Sequence, residues 1–199
     1  DILARADVVL SVRAPSAELE SALRPGQHLV GMLSLLSDPH QAERLAARGV
    51  DAISLDGLPR LLSRAQGMDA LTSQANVAGY RSVLVAAEAF GRYLPMMVTA
   101  AGTARPAEVL IIGAGVAGLQ AIATAKRLGA QVRAYDVRPD SGTEVASLGA
   151  QLLNIEAVKD AAGEGGYARP LTDTEQKALA DELATHIVKH DIVIATAQV

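Results

Sequence analysis

The apolar positions of this 199-residue chain fall into short runs separated by breakers, and their spacing predicts alternating strands and helices. Residues 6–12 (ADVVLSV) form an apolar run of strand length, which Arg13-Ala14-Pro15 breaks. A short helical stretch over 16–23 follows, then the turn Pro25-Gly26 and a second strand over 28–33. A helix over 38–48, stopped by Gly49, leads to a third strand over 50–55. Strands and helices alternating at this interval imply parallel βαβ units. So small an open sheet leaves its edges exposed, and nothing stands before the first strand to complete it. The expectation is that the chain is a fragment of a longer protein.

The longest helical pattern covers 69–93, with apolar residues at Leu71, Ala75, Ala78, Val83, Val85, Ala86 and Phe90. It reads as a connector between two domains, with Pro95 and the stretch 102–106 marking the boundary. Beyond it come a strand at 109–112, a turn over 113–118 and a helix over 119–128 closed by Gly129. A second strand at 131–135 ends in Asp136, a short helix over 144–148 is closed by Gly149, and a third strand covers 151–155. A polar excursion over 156–174 precedes a helix over 175–188 and a fourth strand, 191–196 (DIVIAT). The fold class expected is α/β: a Rossmann-type parallel-sheet domain plus part of a second α/β domain, joined by a long helix. The domain division expected is 1–94 and 95–199. Dinucleotide domains of this kind usually have six strands, so the second is expected to be incomplete at its C-terminal end.

Composition narrows this picture. Half the residues are hydrophobic while aromatics make up 3%, which suits aliphatic strands covered by Ala-rich helices. A net charge of −4 gives no reason to invoke nucleic acid. The absence of cysteine excludes disulfides and thiolate metal sites and is compatible with the cytosol. Residues 106–125 carry Glu108 as their only charge and approach the length of a membrane span. Three glycines and a β-branched strand inside that stretch favour a buried strand and its packed helix. His186 and His190 are four apart, but no third ligand is placed near them. They read as helix-end residues suited to the dipole, and no metal site is expected.

The glycines carry the chemistry. Gly113, Gly115 and Gly118 follow a strand, open a helix, and precede Asp136 by the interval that a dinucleotide fingerprint requires. The first allows the tight turn, the second lets backbone approach a pyrophosphate, and the third lets helix and strand pack closely. The turn, with Val116 and Ala117 in it, and the helix N-terminus behind it offer N–H groups and partial positive charge to phosphates. Asp136 can accept hydrogen bonds from adenosine ribose hydroxyls and repels a 2′-phosphate, which favours NAD(H) over NADP(H). Arg138, two residues on, could soften that repulsion, or could be an ordinary exposed arginine.

Further motifs resemble a known family. They are Ser63-Arg64-Ala65-Gln66-Gly67-Met68-Asp69-Ala70-Leu71, Ala78-Gly79-Tyr80-Arg81, Thr99-Ala100-Ala101-Gly102, the glycine turn, Asp136-Val137-Arg138-Pro139 and Gly165-Gly166-Tyr167-Ala168. In order and spacing, from about Pro59 onward, they resemble the NAD(H)-binding part of proton-translocating nicotinamide nucleotide transhydrogenase, in the alanine dehydrogenase/transhydrogenase family. The resemblance implies that Gln66, Asp69 and Thr72, with Arg60 or Arg64, meet the nicotinamide end of NAD(H). Three residues apart, 66, 69 and 72 are expected on one helical face; on the residues alone they also read as a polar helix N-terminus with Asp69 as its cap. Gly166 and Tyr167 resemble the family's mobile loop, where glycines supply hinge freedom and tyrosine covers the nucleotide. Without the resemblance, the same residues read as an ordinary surface loop.

The implied activity is Re/Si-specific hydride transfer between NAD(H) here and NADP(H) on a partner domain, coupled by a membrane domain to proton translocation. A homodimer, cytoplasmic and peripheral to the inner membrane through its partners, is implied as well. Direct transfer between two nicotinamides needs positioning rather than a general acid or nucleophile. Two rivals remain. An alanine dehydrogenase-like oxidoreductase needs an acid and a carboxylate-binding cation. The segments Val12-Arg13-Ala14-Pro15 and Gly31-Met32-Leu33-Ser34-Leu35 lack the lysine and histidine expected of one. A non-catalytic NAD-binding module has less need of the polar group at 66–72.

Overall fold

The computed structural model describes residues 2–59, 62–138, 140–155, 158 and 171–197. They form two compact units, Asp1–Gln74 and Ala75–Val199. In the first, strands β1 (Val8–Ser11), β2 (His28–Gly31) and β3 (Asp51–Ser54) make a parallel sheet in sequential order. The connecting helices are α1 (Ala17–Ala22), capped by the Ser16 hydroxyl, and α2 (Pro39–Ala47), capped by Asp38 with proline in its first turn. Their core gathers Leu23, Leu29, Leu33, Leu45 and Val50. Both crossovers step the same way across the sheet, so the right-handed rule sends both helices to one face. Val9, Leu29 and Ala52 share a register row with that core, whereas Val8, Leu10 and Ile53 on the alternate rows are exposed.

Leu55–Gly57 and Ser63–Met68 are 3₁₀ turns, and α3 (Ala70–Phe90) follows, spanning the division between the units. Its later residues Val83, Ala86, Ala87 and Phe90 pack into the core of the second unit. Helix α3 also lies against α4 (Val116–Arg127) at Gly79, where an added β-carbon would come within 2.0 Å of the Ala117 carbonyl oxygen. The glycine is there because backbone meets backbone.

The sheet of the second unit holds β6 (Glu108–Ile112), β7 (Gln131–Tyr135), β8 (Gln151–Leu152) and β9 (Ile192–Ala195), all parallel, in the order β8-β7-β6-β9. Two helices complete it, α5 (Ser141–Ser147) and α6 (Asp173–Ile187), the second begun by a reciprocal cap between Thr172 and Glu175. The expected α/β class, with a Rossmann-type parallel sheet, is what the chain forms. Residues 106–125, a possible span by hydropathy, divide into β6, the turn and α4, and no helix of the described residues is long and apolar enough to cross a membrane.

Between α3 and β6 the sequence pattern signalled only a boundary, but an antiparallel hairpin stands there: β4 (Met97–Thr99) and β5 (Gly102–Ala104). Gly102, at φ +130, closes it, and the Thr99 hydroxyl takes the Ala101 N–H. Three-residue strands this exposed leave no apolar alternation to read.

Candidate functional site

Strand β6 is buried on both faces (Val109, Leu110 and Ile111 are at most 1% exposed), so its aliphatic run ends abruptly at the turn. The chain reverses at Gly113, whose φ of +97 suits only glycine and whose N–H donates to the Tyr135 carbonyl at 2.7 Å. Gly118 packs onto that corner: a β-carbon on it would stand 1.8 Å from the Gly113 oxygen and 3.0 Å from the Thr196 hydroxyl. Gly115 differs from both. It caps α4 in extended conformation, and a β-carbon on it would meet nothing within 4 Å. Packing does not explain that glycine, and an open approach for a ligand does.

Helix α4 therefore begins with Gly115, Val116 and Ala117 at the carboxyl end of β6, where the first N–H groups of a helix lack intrahelical partners. The sheet order reverses between β6 and β9 at this place, which is where open parallel sheets take their ligands. The last described residues of β9's tail fasten the turn. Thr196 and Ala197 N–H both donate to the Ile112 oxygen, at 2.7 and 3.2 Å, and the Thr196 hydroxyl donates to the Gly113 oxygen at 3.0 Å. Sequence reasoning did not select Thr196. A lone threonine after a strand gives no signal until the β6–β9 pairing is known.

Asp136 follows β7, and its carboxylate is woven into the turn. One oxygen accepts the Ala114 N–H at 2.7 Å and Arg138 Nη2 at 3.2 Å, and the other accepts the Arg138 N–H at 2.9 Å and Nε at 3.0 Å. Arg138 Nη2 also donates to the Ala114 carbonyl at 3.2 Å. Burial alone pushes the Asp136 carboxyl up, but these bonds from Arg138 and Ala114 outweigh it and hold it below the usual carboxylate range. Val137 lies half-buried between the two. Beside them, burial and the neighbouring Asp136 and Glu182 raise the Tyr135 phenol to about 12, and its buried hydroxyl has no partner among the described residues.

The other expected site residues are placed as follows. Gln66 and Arg64 are exposed on the 3₁₀ turn, and Asp69 follows as its last, non-helical residue. The Asp69 carboxylate accepts the Thr72 N–H at 2.9 Å and so caps α3. Gln66 and Thr72 thus belong to two elements with a break at Asp69, rather than to one helical face, because the cap requires a non-helical residue. Arg60, Gly166 and Tyr167 lie outside the described residues. No cluster of metal-binding side chains occurs among the described residues, and His190 Nδ1 lies 2.7 Å from the His186 carbonyl. Concavity alone does not find this site. A cavity of about 400 Å³ lined by Glu108, Lys126 and Arg133 opens at the amino ends of the strands, away from the glycine turn.

The chain matches two family descriptions, "Alanine dehydrogenase/PNT, N-terminal domain" over residues 1–78 and "Alanine dehydrogenase/PNT, C-terminal domain" over residues 82–199. It belongs to the alanine dehydrogenase/PNT family. Within that family it is 45% identical over 197 residues to the NAD(P) transhydrogenase subunit alpha of Cereibacter sphaeroides, covering 96% of this chain and 37% of that protein. The NAD(P) transhydrogenase subunit alpha of Haemophilus influenzae is 38% identical over 195 residues, covering 98% and 38%. An alanine dehydrogenase of Mycolicibacterium smegmatis is 31% identical over 141 residues, covering 68% of this chain and 37% of that protein. The solved transhydrogenase of Sinorhizobium meliloti superposes with a TM-score of 0.78 at 43% identity, covering 98% of this chain and 51% of that one. The chain thus spans about half the length, or less, of the alanine dehydrogenase/PNT relatives it matches.

Proposed function

We propose that this chain is the NAD(H)-binding component of a proton-translocating NAD(P) transhydrogenase. The observation that carries the reading is the glycine turn with its carboxylate: an open backbone approach at Gly115, a helix N-terminus behind it, and Asp136 at the next strand end. This donor set fits a dinucleotide, with cation-like N–H groups for the pyrophosphate and a carboxylate for a ribose diol. The similarity to proteins named transhydrogenase alpha subunits, at 38–45% identity over nearly the whole chain, supports the same reading.

Gly113, Gly115, Val116, Ala117 and Gly118 form the pyrophosphate site, with Gly115, Val116 and Ala117 at the approach and Gly113 and Gly118 shaping the turn behind it, and Asp136, Val137 and Arg138 frame the adenosine ribose. Gln66, Asp69 and Thr72, with Arg60 or Arg64, orient the nicotinamide through an amide, a carboxylate, a hydroxyl and a cation. Asp69 offers this contact while its carboxylate also caps α3. Gly166 and Tyr167 close over the nucleotide. Bound NAD(H) supplies the hydride chemistry, so the chain's residues need to hold the ring and exclude water rather than shuttle protons. NADP(H) belongs to a partner domain, proton movement to a membrane domain, and the transfer is Re/Si-specific. The chain pairs as a homodimer, cytoplasmic and peripheral to the inner membrane through these partners. The domain division we propose is 1–94 and 95–199.

Fluorescence titration of the chain with NADH and NADPH tests this. NADH is expected to bind more tightly, and Asp136→Ala to weaken it by about tenfold or more, the loss of hydrogen bonds to a charged group. Gln66→Ala is expected to keep binding but to slow hydride transfer to NADP held on the partner domain. NADPH binding as tight as NADH binding, unaffected by Asp136→Ala, would overturn the proposal.

A further inference from the structure

The Asp136 carboxylate has four acceptor positions, and all four are filled within the chain. Two of its donors are the backbone N–H groups of Ala114 and Arg138, which the turn holds in place. The other two, Nε and Nη2, belong to the Arg138 side chain, which remains 29% exposed where Asp136 is 9% exposed. A ribose diol brings two hydroxyl donors. It can therefore reach the carboxylate only by taking the places of the two guanidinium donors, and it leaves that guanidinium beside the ribose edge. A ribose bearing a 2′-phosphate meets the opposite situation. The carboxylate repels it, and the cation that would complement it is already neutralised.

We propose that Arg138 is a masked 2′-phosphate ligand, and that Asp136 selects against NADP(H) partly by occupying this guanidinium. The inference rests on the nucleotide site proposed above and names the residue pair that sets its selectivity. Taking away the charge of Asp136 turns the guanidinium's Nε and Nη2 toward a phosphate of about −1.5 to −2, with the carboxylates of Glu144 and Asp140 still acting on it. The forked guanidinium is suited to bind it bidentately. In Asp136→Asn an amide oxygen can still accept the Ala114 N–H, and Asp136→Ser, whose hydroxyl is too short to replace that bond, removes the charge by a second route.

The test titrates the wild-type chain, Asp136→Asn, Asp136→Ser and Asp136→Asn combined with Arg138→Gln, each with NADH and NADPH at low and high salt. Displacement by adenosine 2′-phosphate and adenosine 5′-phosphate serves as a second readout, and thermal unfolding shows that each variant is folded. Either Asp136 variant is expected to bind NADPH roughly tenfold more tightly than the wild type, the scale of one charge-assisted hydrogen-bonded pair. That gain is expected to shrink with salt and to vanish when Arg138 becomes glutamine. If one Asp136 variant does not fold, the other decides. No NADPH gain in a folded Asp136 variant, or a gain that persists without Arg138, overturns the role of Arg138. A wild type that itself prefers NADPH, or binds neither nucleotide, overturns the nucleotide-site reading and this inference together.

Discussion

Three glycines of one turn carry three separable duties, and alanine at two of them should separate folding from binding. At Gly118 a β-carbon would lie 1.8 Å from the Gly113 oxygen and 2.8 Å from its carbonyl carbon. Ordinary contact needs about 3.4 Å, so the corner must retreat by about 1.5 Å, and the obstacle is backbone rather than a side-chain tip. Overpacking of that kind costs about 3 kcal/mol, which in a protein of this size lowers Tm by roughly 6–12 °C. At Gly115 the same methyl meets nothing within 4 Å, and φ −73 with ψ −168 suits alanine. Stability should stay within about 1 kcal/mol of wild type, since a slightly poorer helix cap offsets reduced freedom of the unfolded chain. The methyl would, however, stand where a pyrophosphate approaches, and NADH affinity should fall about tenfold or more. Thermal unfolding by circular dichroism and NADH fluorescence titration on both variants measure the two axes. A Gly115→Ala variant that binds NADH normally, or a Gly118→Ala variant that melts with the wild type, refutes the division of duties.

Other outcomes follow from the same geometry. Gly79→Ala should destabilise the second unit by about 2–3 kcal/mol through its clash with the Ala117 oxygen, whereas Gly67→Ala, with open space around it, should not; urea denaturation compares them. Asp191 accepts from Arg92 at 2.6 Å, from Arg105 at 3.4 Å and from the Glu108 N–H at 3.0 Å. Asp191→Ala should therefore cost about 1–3 kcal/mol in the same assay, and a loss below about 0.5 kcal/mol would show these bonds to be idle. Glu20, Asp56, Asp136 and Asp191 are all held below their ordinary carboxylate range in the folded chain. Folded values depressed below unfolded ones near 4 give stability that is present above about pH 5 and lost as pH falls through the folded values. The urea midpoint should drop below about pH 4, and a midpoint unchanged to pH 3 would contradict these directions.

Much of the second unit was legible because β6 is aliphatic on both faces and its turn needs glycine for steric reasons that leave a mark in sequence. Asp136 was legible for the same reason, since it stands at the next strand end. What was not legible depends on pairing across the chain. Thr196 gains its role from β9 lying beside β6, and Gly79 from α3 crossing α4. Arg138 could be named from its position, but the saturation of Asp136 by its guanidinium together with two backbone N–H groups needed coordinates. At Asp69 the residues left two readings, a shared helical face with Gln66 and Thr72 or a helix cap, and the cap decided where the helix begins. The hairpin at 97–104 is too short and too exposed for strand periodicity to register.

The Thr196 bond to Gly113 also orders events in time. Its partners stand 83 residues apart in the chain. At a synthesis rate of about 5–20 residues per second, the glycine corner leaves the ribosome roughly 4–17 s before the hydroxyl that fastens it. Throughout that interval β6 lacks its β9 neighbour and presents a free edge. The part of the fold most readily read from sequence thus waits for a residue made 83 positions later.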